Sequence, residues 1–259
     1  MTLMVPDPLG MHETHSDESG NHHTRRSAME RFMESLHRHI RIAMPAFAIL
    51  GATTLAWTFA SAGNALAADS GSASRSVYVA HLHPMNNKVT GLQTTGEARF
   101  SIVGDQLTIS LKARGLPPNI IHWQHFHGFA DNRAASCPGA AADVNGDGII
   151  DLIETGPAAG TTMVPFTDNP VAMDIAHGTY PQASANGTYT YRQTVSLKDL
   201  TAAFSKTFND PALDLDRRVI FIHGVVNTSQ LPATVASLGP IPASVTLPIA
   251  CGRIERVNR

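Results

Sequence analysis

The chain has 259 residues, 43% of them hydrophobic, with 19 Lys plus Arg against 21 Asp plus Glu. That near-balance, with no basic block anywhere, argues against nucleic acid as a partner. Two cysteines, Cys137 and Cys251, are too few for a disulfide-dense miniature scaffold, so stability has to come mainly from a packed core.

The first 67 residues read as an extension and export signal. Met44–Ala60 (MPAFAILGATTLAWTFA) is an apolar run without charge, preceded by Arg38 and Arg41 and followed by Ala65-Leu66-Ala67, an A-x-A cleavage pattern. The run is shorter than the roughly 20 apolar residues that span a bilayer, so a cleaved signal is expected rather than a membrane anchor. The polar, His-rich segment before Met29 lacks periodicity, and Met1, Met29 and Met33 all remain open as the start. The remainder, Ala68–Arg259, holds 14 Lys plus Arg against 15 Asp plus Glu and fits one domain of 192 residues. In an exported chain, Cys137 and Cys251 are expected to form a single disulfide closing a loop of over a hundred residues. Free thiols are the poorer alternative.

Ser76–Leu82 alternates as a strand; His81 and His83 share parity, which offers a second small cluster, and are read as surface residues. In GEARFSIVGDQLTISLKARGL, Ala98, Phe100 and Ile102 alternate with polar neighbours, Gly104-Asp105 turns, and Leu107, Ile109 and Leu111 alternate again; this predicts a β-hairpin. Gly115 and Pro117-Pro118 break the run before a strand at His122–Gly128. On that strand His125 and His127 lie two apart, so their Cα atoms stand roughly 6.5–7 Å apart on one face while Phe126 points to the other. Two adjacent imidazoles suit one transition-metal ion, copper or zinc. His122 has the opposite parity.

DVNGDGIIDLIE places Asp143, Asn145, Asp147, Gly148, Ile149, Asp151 and Glu154 at positions 1, 3, 5, 6, 7, 9 and 12 of a calcium loop. Calcium takes six to eight oxygens, which this pattern supplies from side chains, the Ile149 carbonyl and a bidentate Glu154. Gly148 permits the sharp turn, and Ile150 is expected to pack beneath the loop. Pro138-Gly139 before it and Gly156-Pro157 after it predict that the flanking helix pair of an EF-hand is missing.

Further on, Asn186-Gly187 marks a turn into a period-two stretch. Ser196–Phe208 has helical spacing, with Leu197, Leu200 and Phe204 on one side and Ser196 and Asp199 as a capping pair. RRVIFIHGVV and VTLPIACGRIE predict two more strands. His223 ends the first of them, beside the apolar Ile222, and is a third candidate ligand. Many short strands punctuated by Gly, Pro and Asn predict an all-β, antiparallel Greek-key sandwich or barrel with one short helix and a long calcium-binding loop.

HFHGFADNRAASC resembles the copper-ligand strand of the copper/zinc superoxide dismutases, where an H-x-H pair precedes the disulfide cysteine. RRVIFIHGVV is similar to that family's later strand with a further copper histidine, and LPIACGRIE to its last strand with the second cysteine. The upstream part, VYVAHLHPMNNKVTGLQTTGEARFSIVGDQLTISLKARGLPPNIIHWQHFHG, equally resembles CHRD (chordin-type) domains. The resemblance implies His125, His127 and His223 as copper ligands and catalytic residues, Cys137–Cys251 as the disulfide, and superoxide, a small anion, as substrate. Two departures count against full activity. The family's zinc loop holds several histidines where this chain has only His177, which is either a fourth copper ligand or a loop residue. The guiding arginine three positions before the last cysteine is replaced by Pro248, which weakens steering of an anion. The acidic segment occupies the interval of the zinc loop and resembles a lone, dockerin-like calcium staple. Two functions therefore stand: a copper- and calcium-binding exported protein with superoxide dismutase-like activity, and a non-enzymatic CHRD-type interaction module braced by calcium.

Overall fold

The computed structural model describes residues 75–227 and 231–257. The export segment Met44–Ala60 and the cleavage pattern lie outside the described residues. Among those described, no helix is long and apolar enough to cross a membrane.

Eight strands form one sheet: β1 (Arg75–Pro84), β2 (Thr95–Val103), β3 (Gln106–Arg114), β4 (Gln124–Gly128), β5 (Thr161–Pro165), β6 (Thr188–Ser196), β7 (Val219–His223) and β8 (Pro248–Arg256). Their order is β5-β4-β7-β8-β1-β2-β3-β6 with every neighbouring pair antiparallel, and the sheet curls into a half-barrel. The expected β2–β3 hairpin is present, with Phe100 opposite Ile109 and Gly104 in the left-handed region at the turn. Alternation sends Ala98, Phe100, Leu107, Ile109 and Leu111 to the inner face. Phe126, Ile220 and Ile222 join them from β4 and β7, together with Phe166. Among the helices, α1 (Asn87–Thr90) and α4 (Ala243–Thr246) are single turns, whereas α2 (Leu152–Ala159) and α3 (Leu197–Phe208) are longer.

Helix α3 lays Leu200 and Phe204 onto this core, with the Phe204 ring 6.3 Å from that of Phe126. Ser196 caps it, its hydroxyl oxygen accepting from the Asp199 N–H at 3.1 Å. The cap extends beyond the expected pair. Asp105 from the β2–β3 turn accepts the Ser196 hydroxyl and the Lys198 N–H, both at 2.8 Å, and these bonds hold its carboxyl below the usual range. The hairpin turn thereby locks the helix start.

The long connection between β4 and β5 lies on the sheet's other face. Cys137 within it is bonded to Cys251 on β8, 114 positions away. Around this staple a second, smaller apolar cluster gathers Met85, Ala135, Ala159, Val219 and Phe221, with Phe129 and Ile150 at its margin. The expected absence of a flanking helix does not hold on the exit side. Helix α2 runs through Gly156-Pro157 because Asp151 and Glu154 form a complete capping box at its start, and it stops at Gly160. Gly160 has a positive φ and sits so close to the Gly128 carbonyl that a Cβ would come within 2.1 Å of that oxygen. A buried ion pair, Arg218 to Asp210 at 3.0 Å, ties the approach to β7 down, and Arg218 also donates to the Leu213 and Phe129 carbonyls.

Candidate metal centre

The three candidate ligands come from neighbouring strands. Registers pair His125 with Phe221 and His127 with Val219, so β4 and β7 are directly bonded. Strand parity turns Phe126 into the core and leaves His125 and His127 together on the outer face. On β7, a register shift between Ile222 and His223 ends the regular ladder. Ring centroids lie 4.8 Å apart for His125 and His127, 4.6 Å for His125 and His223, and 6.2 Å for His127 and His223. Their ligand atoms all fall within 4.8 Å of one another. The rings are not open to solvent: His125 is 3% exposed, His127 1% and His223 2%.

Each ring has a nitrogen that needs explaining. His223 Nδ1 donates to the Thr246 carbonyl at 2.7 Å, which leaves Nε2 as the lone-pair nitrogen, and that atom has no partner. His127 Nε2 meets the Thr162 hydroxyl at 3.2 Å, and its Nδ1 has no partner. His125 Nδ1 is likewise without one. A buried unpaired polar atom costs about 1–3 kcal/mol, so one on each of three neighbouring rings calls for an explanation. Burial pushes all three rings toward the neutral form that binds a cation. Desolvation, reinforced for His125 by both neighbouring rings and for His127 by His223, holds His125 well below its ordinary value and His127 at about 3. His223 is brought to about 4 by desolvation, which outweighs the opposing hydrogen bond to the Thr246 carbonyl.

The donor set fits a transition metal. Nitrogens about 2.0–2.1 Å from one ion stand roughly 3.4 Å apart, so the rings would close inward by no more than about 0.8 Å each. The Thr246 carbonyl and Thr162 hydroxyl behave as the outer partners that fix a ligating ring. Phe221 fills the space beside them, its ring 4.7 Å from that of His127 and 5.7 Å from that of His223. Sequence reasoning missed Thr162 and Thr246. Neither stands in a recognisable pattern with the histidines, and only the fold brings them there.

Among the described residues, two further histidines, the candidate ligand His177 and the strand neighbour His122, lie apart from the trio. His177 is 76% exposed and its Nδ1 lies 3.1 Å from Asp174 Oδ1, so the structure keeps it in its loop rather than at the trio. His122 is buried on its own, with ring nitrogens 2.9 Å from the His223 and Pro117 carbonyls and its ring stacked on Tyr189.

The acidic loop is curled by its own backbone. Asp143 accepts from the N–H groups of Gly146, Asp147 and Gly148, and Asp147 from that of Ile149. Glu154 reaches back across the loop to the Val144 N–H at 3.0 Å, so the first and twelfth positions lie side by side. A segment following β7 leans on it: the Thr234 hydroxyl donates to Asp147, and the Ala236 N–H to Asp151 at 2.7 Å. The buried side chain beneath the loop is Ile149, not Ile150 as the pattern implied. Ile150 is half-buried against the disulfide cluster, and its N–H and C=O are both taken by the Asn86 carboxamide, at 2.8 and 2.9 Å.

No model of a known protein family matches this chain, and no curated protein matches it.

Proposed function

We propose that this chain is an exported metal-binding β-sandwich protein in which His125, His127 and His223 hold copper and the acidic loop holds calcium. One observation carries the first part: three buried imidazoles from two adjacent strands bring their ligand atoms within 4.8 Å of one another. Nitrogen donors of this kind favour copper or zinc, and copper supplies one-electron redox chemistry when bound. The chain's own contribution is orientation through Thr246 and Thr162, and exclusion of water by Phe221 and the disulfide-stapled connection. For calcium, the support is the oxygen-rich pattern and the proximity of Asp143 and Glu154 across the loop. Export is supported by the apolar segment with its cleavage pattern and by the disulfide, which belongs to an oxidising compartment. The Greek-key, superoxide dismutase-like or CHRD-type plan belongs to the same proposal, resting on the order of histidines and cysteines along the chain.

Burial favours a second reading of the reaction. Rings this closed to solvent, with Pro248 where a steering cation would stand, suit holding an ion better than rapid exchange of superoxide. The non-enzymatic, CHRD-type module is then the alternative to a dismutase-like enzyme. The test is to dialyse the full chain with copper and calcium, measure bound metal by mass spectrometry, and follow superoxide decay. Copper at one per chain, lost in His125→Ala/His127→Ala, supports the metal centre, and decay no faster than that of the variant selects the non-enzymatic form. For calcium, Glu154→Gln should lower the melting temperature more in calcium than in chelator, where only its capping and loop hydrogen bonds are weakened; an equal loss in both overturns the staple.

A further inference from the structure

The sheet carries a second H-x-H pair. His81 and His83 lie two apart on β1, both exposed and on the same face, so their Cα atoms are roughly 6.5–7 Å apart, the spacing that brings His125 and His127 together. The registers join the two pairs. His125 stands opposite Phe221, Phe221 opposite Cys251, and Cys251 opposite His83. One row therefore crosses four strands from the buried trio to the exposed pair, about 14 Å at the usual strand spacing.

The surroundings of the exposed pair are those of an open site. His81 and His83 line a cleft of about 510 Å³ together with Met85, Cys251, Arg253 and Glu255. The cross-strand partner of His81 is Glu97, whose carboxylate lies 3.8 Å from His81 Nδ1. An exposed ion pair at that distance contributes little to stability, so the contact is not explained by folding. β1 is bonded on both sides, to β2 and β8, which fixes both histidines on a rigid element before any ligand arrives. Arg253 in the cleft and Lys112, which stands opposite Glu97 on β3, are the opposing charges, and both weaken binding of a cation there.

We propose that His81 and His83, assisted by Glu97, form a second, solvent-facing site for a divalent transition metal of the zinc and copper class, separate from the buried trio. Two imidazoles and one carboxylate leave coordination positions to water, so this site binds more weakly than three buried imidazoles and exchanges its ion quickly.

Equilibrium dialysis of the full chain against Zn2+ tests this, combined with stopped-flow removal of zinc by a chelator. The variants are His81→Gln/His83→Gln, Glu97→Gln, Arg253→Gln and, for the trio, His125→Ala/His223→Ala. The expected result is a weak, fast-exchanging zinc that survives in the trio variant and disappears in His81→Gln/His83→Gln. It should weaken about tenfold in Glu97→Gln and tighten in Arg253→Gln. The changes at 81, 83, 97 and 253 are surface substitutions, and an unchanged melting temperature verifies the fold. If the trio holds no metal, the wild type shows the weak class alone and the exposed site still stands. A weak class that persists in His81→Gln/His83→Gln, or no zinc bound by the trio variant, overturns the proposal.

Discussion

Acid should destabilise the metal-free protein through the trio. In the unfolded chain a histidine takes its proton near 6.5, whereas burial keeps His223 neutral in the folded state down to about 4. Between those values the unfolded state binds the extra proton, so stability is fully present above pH 6.5 and falls as the pH drops toward 4. For His223 alone that interval corresponds to about 3 kcal/mol. His127, held at about 3, acts in the same direction; because the rings repel one another when charged, the contributions do not simply add. The assay is urea unfolding of the metal-free chain at several pH values between about 7 and 4.5, compared with His223→Gln. Carboxylates titrate in the lower part of this range in both proteins, so the difference in slope isolates the imidazole. Wild type should lose stability more steeply than the variant, and bound metal should raise its curve without flattening it, because the ligating rings stay unprotonated while the unfolded chain still takes up protons. Parallel pH dependences would refute the reasoning.

Other substitutions probe the scaffold around the site. Cys137→Ser/Cys251→Ser removes a crosslink spanning 114 positions and should cost about 4–5 kcal/mol on the chain-entropy treatment, read as a lower urea midpoint; a change under about 1 kcal/mol would contradict it. Asp210→Asn leaves the buried Arg218 charge without its partner and should cost about 3–5 kcal/mol, much of it recovered in Asp210→Asn/Arg218→Met. Asn86→Ala strips both backbone groups of Ile150 of their partner; a loss of about 2 kcal/mol and faster amide exchange at Ile150 are expected, and unchanged exchange would show the contact to be idle.

What the sequence made legible was what a period of two encodes. The hairpin, the β4 pair with Phe126 between them, and the helix over Leu197–Phe208 follow from residue alternation and capping, and the structure contains each of them. The meeting of His223 with the β4 pair depends on β7 lying next to β4, a long-range pairing that local pattern does not specify and that entered through resemblance. Helix α2 was hidden because Gly156-Pro157 signals a break, while the Asp151–Glu154 capping box that starts the helix was read as calcium ligands. Arg218 was illegible for a different reason. Next to Arg217 it looks like a solvated flank, and only the fold shows Asp210 and two carbonyls waiting for it. Asn86, Thr162 and Thr246 act through single side-chain or carbonyl contacts with distant segments, which leave no periodic trace.

The central claim is that three imidazoles from β4 and β7 share one ion. X-ray absorption at the copper edge of the copper-loaded chain reads that directly, because imidazole rings scatter with a distinctive outer-shell pattern. Three imidazole nitrogens at about 2.0 Å are expected, falling to two in His223→Ala, measured with His81→Gln/His83→Gln in the background so that the exposed pair does not contribute. A copper environment of oxygen ligands, or one unchanged by His223→Ala, would contradict it.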